Sequence, residues 1–172
     1  EGIGLDIVSG GELAVAMSAG FPAARCHFHG NNKAEDELRE AIDAGIGRII
    51  IDNFYELELV DRIARTMGRV QTIILRLSPA VDARTHAKTT TGTLDTKFGF
   101  PIATGAAEQA IVEAQRLGGV DLAGLHSHLG SPLFDLEPYD EANAVMLPFA
   151  AAMQKKHGLD LREYSPGGGF AA

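Results

Sequence analysis

Short β-rich apolar runs alternate with longer amphipathic segments along this whole chain, and that alternation limits its fold more than any other feature. Strand-like runs cover residues 4–8, 25–29, 48–52, 71–77, 122–128 and 161–165. Between them, residues 11–19, 33–44, 55–66, 105–117 and 139–157 carry helical periodicity. Such alternation implies a parallel sheet with right-handed crossovers. An open doubly wound sheet and a closed eight-stranded barrel both satisfy it. Strand ends discriminate between them. Asp6 with Ser9, His29 with Asn31 and Asn32, Asp52 with Asn53, Arg76 with Ser78, His126 with His128, and Gly167–Gly169 all fall at or just beyond the ends of successive runs. A barrel builds its site from the ends of many strands, whereas an open sheet gathers ligands at one switch point. The sequence therefore predicts an α/β fold of the (β/α)8 TIM-barrel type. Six runs leave the barrel incomplete, with about six of eight βα units present, and the chain reads as an internal piece of a longer protein.

Helix starts are marked by cap residues three positions before a glutamate: Ser9 and Glu12, Asn32 and Glu35, Asn53 and Glu56. Pro148 falls inside the last helical pattern and predicts a kink or a split there. Residues 78–101 show no sustained periodicity; so long a connection is uncommon in a compact domain unless it serves a function.

Composition removes several function classes. A formal net charge of −8 argues against a nucleic-acid partner, whose phosphates need a basic face. No apolar run approaches the roughly 18 residues of a bilayer span, so no membrane association is expected. Cys26 is the sole cysteine, which excludes an internal disulfide and fits a reducing, cytoplasmic setting.

The chemistry concentrates in GLHSHLGS, residues 124–131. Histidines at i and i+2 share one face of a strand. Together, His126 and His128 suit a divalent metal, with His29 and Asp52 as further ligands. They equally suit an imidazole stacked on an aromatic cofactor, or a pair of satisfied interior histidines. The Gly167-Gly168-Gly169 turn follows the next strand, where barrels commonly hold a phosphate on backbone N–H groups. Ser131 adds a hydroxyl, and together they sketch a phosphate cup. Arg76, within the apolar run IILRLSP, needs an anion or a carboxylate if it points inward. Lys97 reads on residue type as a solvated surface charge.

Eight segments in order resemble one family: DIVSGGEL (6–13), FHGNNK (28–33), IIIDNFYEL (49–57), LRLSPAVDARTH (75–86), TGTLDTKFGF (91–100), GLHSHLGS (124–131), FDLEPY (134–139) and GGGF (167–170). They are similar to the diaminopimelate decarboxylases, pyridoxal-phosphate enzymes of the alanine racemase-like fold related to ornithine and arginine decarboxylases. The resemblance covers the whole chain, making residues 1–172 a partial pyridoxal-phosphate-binding barrel domain without the family's C-terminal β domain. It implies pyridoxal 5'-phosphate as cofactor, with His128 on the face of its ring and Ser131 and Gly167–Gly169 at its phosphate. Asp6 and Arg76 become pocket-wall groups, Lys97 lies near a subunit interface, and the full-length enzyme is a homodimer acting on an amino-acid substrate.

The implied reaction converts meso-2,6-diaminopimelate to L-lysine and carbon dioxide; ornithine, arginine or a D-amino acid is the substrate in the related alternative. A metal-dependent barrel hydrolase using His126 and His128 is the alternative from another class. The family's Schiff-base lysine sits on a strand before Asp6, so the resemblance implies no catalytic residue within this chain and an inactive fragment. One departure is YSPGGGF, where the family more often has an aspartate or similar residue and a small apolar one before the glycines.

Overall fold

A computed structural model describes residues 2–80 and 97–171. Parallel strands β1 (Leu5–Ile7), β2 (Cys26–Phe28), β3 (Arg48–Ile51), β4 (Gln71–Ser78), β6 (Val120–His126) and β7 (Glu163–Ser165) lie side by side in that order. A two-residue strand, β5 (Phe100–Pro101), pairs with Leu77 and Ser78 at the end of β4. Helices α1 (Gly10–Ser18), α2 (Glu35–Asp43), α3 (Phe54–Thr66), α4 (Ala106–Arg116) and α5 (Glu137–His157) make the crossovers. Neighbours follow chain order without the reversal that defines a doubly wound sheet, so the six main strands form an arc of a barrel.

One ion pair shows how far the arc curves. In a flat sheet β3 and β7 would stand three inter-strand steps apart, about 14 Å. Yet the Arg48 guanidinium on β3 donates to the Glu163 carboxylate on β7, across the concave side. The convex side is packed with helices: Phe28, Ile49, Ile51, Ile73, Leu75 and Leu125 from the strands join Leu38, Leu57, Ile63 and Ile111 in one core. Strand alternation thus sends apolar residues outward to the helices and leaves His27, His29, Arg76, His126 and Ser165 on the inside.

Gly124 allows β7 to pair at all. A Cβ there would lie 2.3 Å from the Glu163 carbonyl oxygen, far inside van der Waals contact. Gly124→Ala is therefore expected to destabilise the protein by roughly 1–3 kcal/mol through overpacking. Chemical unfolding checks this; an unchanged midpoint would show that β7 can shift without penalty.

Two caps form as the sequence predicts. Ser9 Oγ accepts from Glu12 N at 3.2 Å, and Asn53 Oδ1 from Glu56 N at 2.9 Å. In both, the glutamate reaches back one residue beyond the cap, to the N–H of Val8 (2.6 Å) and of Asp52 (2.7 Å). The third cap does not form at Asn32. Helix α2 begins after Ala34, whose N–H donates to the Glu37 carboxylate at 3.0 Å, because Lys33 is drawn inward and moves the helix start downstream. Nor does Pro148 split the last helix, which runs from Glu137 to a left-handed Gly158 with Lys155, Lys156 and His157 in its final turn. Strand β6 spans Val120–His126, so His128 stands beyond its end rather than within it. In the irregular connection, residues 81–96 fall outside the described residues.

Candidate functional site

At the C-terminal ends of the strands lies a cavity of about 530 Å3, walled by Asp6, His29, Arg76, His126, His128, Ser165, Gly167 and Gly168, with Phe98 and Gly30 at its rim. Its volume is in the range of small-molecule and cofactor pockets. Five of the residues singled out from the resemblance, Asp6, Arg76, His128, Gly167 and Gly168, thus meet around one space, whereas Ser131 and Gly169 do not line it. A second hollow beneath it shares Asp6, His29, His126 and Ser165 and ends on the apolar side chains of Ile50 and Ile74.

The glycine turn approaches the 130–133 segment closely. Gly169 C=O accepts from Leu133 N at 2.8 Å, and the Gly169 Cα stands so near Ser131 that a Cβ would lie 3.3 Å from its Cα. Around a Cβ at Gly168, by contrast, nothing lies within 4 Å. The turn therefore presents one unobstructed backbone face. Tyr139, on α5, fixes it from outside: its hydroxyl donates to the Gly168 carbonyl at 2.9 Å, and its ring stacks on Phe170 at 4.4 Å. Only the composition of FDLEPY signals Tyr139 in the sequence, and helical periodicity assigns it to the core.

His126 is 4% exposed and paired through Nδ1 with Ser165 Oγ at 3.1 Å, which also accepts from Gly167 N at 3.2 Å. Burial, with the neighbouring His29, Arg76 and His128 adding to it, pushes the His126 imidazole down to about 3. This residue is neutral at working pH. Burial lowers His29 as well, with Asp6 opposing the shift, and His29 meets His126 edge to face at 5.1 Å. His128 is exposed on the cavity wall; partial burial and the Arg76 charge lower its pKa. Among the described residues, the one group that could hold a metal is Asp6, His27 and His29, which leaves out both His126 and His128. Asp52, the carboxylate expected to complete a metal set, is occupied by Arg76.

Arg76 finds the carboxylate its position demands, Nη1 lying 3.2 Å from Asp52 Oδ1 while its guanidinium sits 4.8 Å from the centre of the Phe98 ring. Lys97, next to Phe98, is exposed. Behind this wall lies a buried ion pair that the sequence reading did not single out. Lys33 Nζ donates to Glu56 Oε1 (2.7 Å), Gly30 O (2.6 Å) and Ile50 O (2.7 Å). Desolvation pushes Lys33 down and Glu56 up, each opposed by its partner's charge. The signal for the pair was the glutamate at the third helical position, read as a cap alone.

The sequence profile described as "Pyridoxal-dependent decarboxylase, pyridoxal binding domain" matches residues 1–172, the full chain. The chain belongs to the pyridoxal-dependent decarboxylases. It is 48% identical over 135 residues to a diaminopimelate decarboxylase of Bacillus subtilis, covering 78% of this chain and 31% of that protein. Against the diaminopimelate decarboxylase of Halalkalibacterium halodurans it is 40% identical over 169 residues, 98% of this chain and 38% of the relative. The crystal structure of diaminopimelate decarboxylase from M. jannaschii in complex with L-lysine superposes with a TM-score of 0.87 at 33% identity, over 96% of this chain and 38% of that one. The chain thus spans under two fifths of the length of these relatives. The superposition also establishes the six-stranded arc as part of a TIM barrel.

Members of the pyridoxal-dependent decarboxylase family bind pyridoxal phosphate, and the residues present here fit that group. The turn offers an open backbone face at Gly168, and the same wall carries the Arg76 cation and the neutral His126. An anionic, aromatic cofactor needs both an unobstructed donor edge and a positive surround.

Proposed function

We propose that this chain is the cofactor-binding part of a decarboxylase that converts meso-2,6-diaminopimelate to L-lysine and carbon dioxide. The convergence of His128, Arg76, Asp6 and the glycine turn on one cavity carries this reading. Pyridoxal phosphate supplies a ring that takes up the electrons left behind by departing carbon dioxide. Ser131 and the Gly167–Gly169 turn would hold its phosphate, the turn through the N–H groups of Gly168 and Gly169 because that of Gly167 already donates to Ser165 Oγ, and the His128 imidazole would lie against its ring. Arg76, oriented by Asp52, and Asp6 would line the same cavity beside it. Neutral His126 lines the same cavity and would add no charge beside the ring. Lys97 lies at the interface of a homodimer, and the enzyme works in the cytoplasm. The 172-residue chain spans under two fifths of the length of its relatives, and by itself it is expected to form no lysine from meso-diaminopimelate.

The longer polypeptide, titrated with pyridoxal phosphate and followed by absorbance, tests the site. Ser131→Ala removes one hydrogen bond to a charged group and is expected to weaken binding roughly tenfold, with the fold retained. Unchanged affinity in both Ser131→Ala and His128→Ala would overturn the assignment. Carbon dioxide release from ornithine or arginine, with none from meso-diaminopimelate, would transfer the reading to a related decarboxylase.

A further inference from the structure

We propose that the buried Lys33–Glu56 pair is a positioning element for the cofactor cavity, holding the Gly30 turn and the Asp52–Arg76 pair in place from behind the wall. The inference rests on the cofactor reading above, but its geometry stands independently. Neither side chain lines the cavity. Lys33 is 8% exposed and Glu56 4%.

Both charges are used up on backbone that the cavity depends on. Lys33 grips the carbonyl of Gly30, whose left-handed φ of 103° turns the chain into the rim, and the carbonyl of Ile50 on β3. Glu56 accepts the N–H of Asp52, two residues further along and just past the end of that strand. The pair therefore holds two backbone groups in succession at the C-terminal end of β3, the Ile50 carbonyl and the Asp52 N–H. It is at this end that Asp52 turns inward to meet Arg76, whose strand is aligned by the Ile51–Leu75 pairing. Lys33 also lies 5.6 Å from the centre of the Phe28 ring, so its stem is packed and has little room to move.

Stability alone does not account for the pair. Replacing a buried ion pair with apolar residues of similar size is often neutral or stabilising, whereas removing one partner strands a buried charge. An apolar pair cannot, however, hold two carbonyls and an N–H at fixed positions. The two roles consequently separate in a double variant. Groups that orient the residues touching a bound metal commonly carry roughly ten- to hundredfold effects on affinity, and the same logic applies to this wall.

The test uses the longer polypeptide carrying Lys33→Met, Glu56→Met or both, with thermal unfolding, pyridoxal-phosphate affinity and a cofactor-free crystal structure as readouts. Each single variant is expected to lose stability. The double variant is expected to recover it while binding pyridoxal phosphate at least tenfold more weakly, with Arg76 and the Gly30 turn displaced. A double variant as stable as wild type, with affinity within twofold and the Arg76–Asp52 contact intact, would overturn the proposal. Should the double variant not fold, Glu56→Gln preserves volume and carries the same comparison. A wild-type protein that binds no pyridoxal phosphate would instead remove the cofactor reading. The displacement of Arg76 in the cofactor-free structure would then decide the positioning role alone.

Discussion

A methyl group added at Gly169 is expected to destabilise the protein by roughly 3–5 kcal/mol, while the same change at Gly168 leaves stability within about 0.5 kcal/mol. Gly169 has φ of 100°, a region costly for any residue with a side chain, and a Cβ there would fall 2.0 Å from the Gly130 carbonyl oxygen. Gly168 has neither constraint, because its Cβ would project into open space and its φ lies outside the left-handed region. If the turn holds a phosphate, Gly168→Ala should nonetheless weaken pyridoxal-phosphate binding by crowding the approach. Urea unfolding paired with cofactor titration separates the two roles. Equal stability losses at both positions would show that the three glycines serve only the turn.

Acidification from pH 6.5 towards 3 is expected to remove several kcal/mol of stability through His126. Its folded pKa is about 3, against 6.5 for an unconstrained histidine. Between those values the unfolded chain binds a proton that the native state refuses, so stability falls as pH falls, by up to about 1.4 kcal/mol per pH unit. Above pH 6.5 the imidazole is neutral in both states and contributes no slope. His29 and His128 are lowered as well and act with the same sign. His126→Gln keeps a polar partner for Ser165 without a titrating group. Its urea midpoint at pH 7 and at pH 4.5 should therefore differ less than that of the wild type. Parallel curves for the two proteins would locate the acid sensitivity elsewhere.

Much of this architecture was legible in the chain because strands and helices have different periods. Every main strand appears within a few residues of its expected place, and polar strand ends pointed correctly to a barrel rim. Local rules failed where tertiary burial overrode them. Asn32 has the chemistry of a helix cap, yet the inward pull on Lys33 shifts the start of α2 beyond Ala34. The two-residue β5 is too short to leave a periodic signal. Its existence depends on room beside Leu77 and Ser78, past the point where β6 stops pairing with β4. At the site, His128, Arg76 and Asp6 could be placed because the strand order brings their ends together. The Lys33–Glu56 clamp could not, since its partners lie 23 residues apart and one of them already had a sufficient local explanation.

The Arg48–Glu163 bond joins positions 115 residues apart. It cannot close until all the residues from Arg48 to Glu163 have been synthesised, and Glu163 emerges only a few residues before the glycine turn. Until then β3 lacks the contact that draws β7 across the concave face. The chord therefore works as a completion latch. The inner surface takes its final curvature at the same stage of synthesis as the turn that would receive the phosphate. An anion meeting the shorter, earlier chain would find neither.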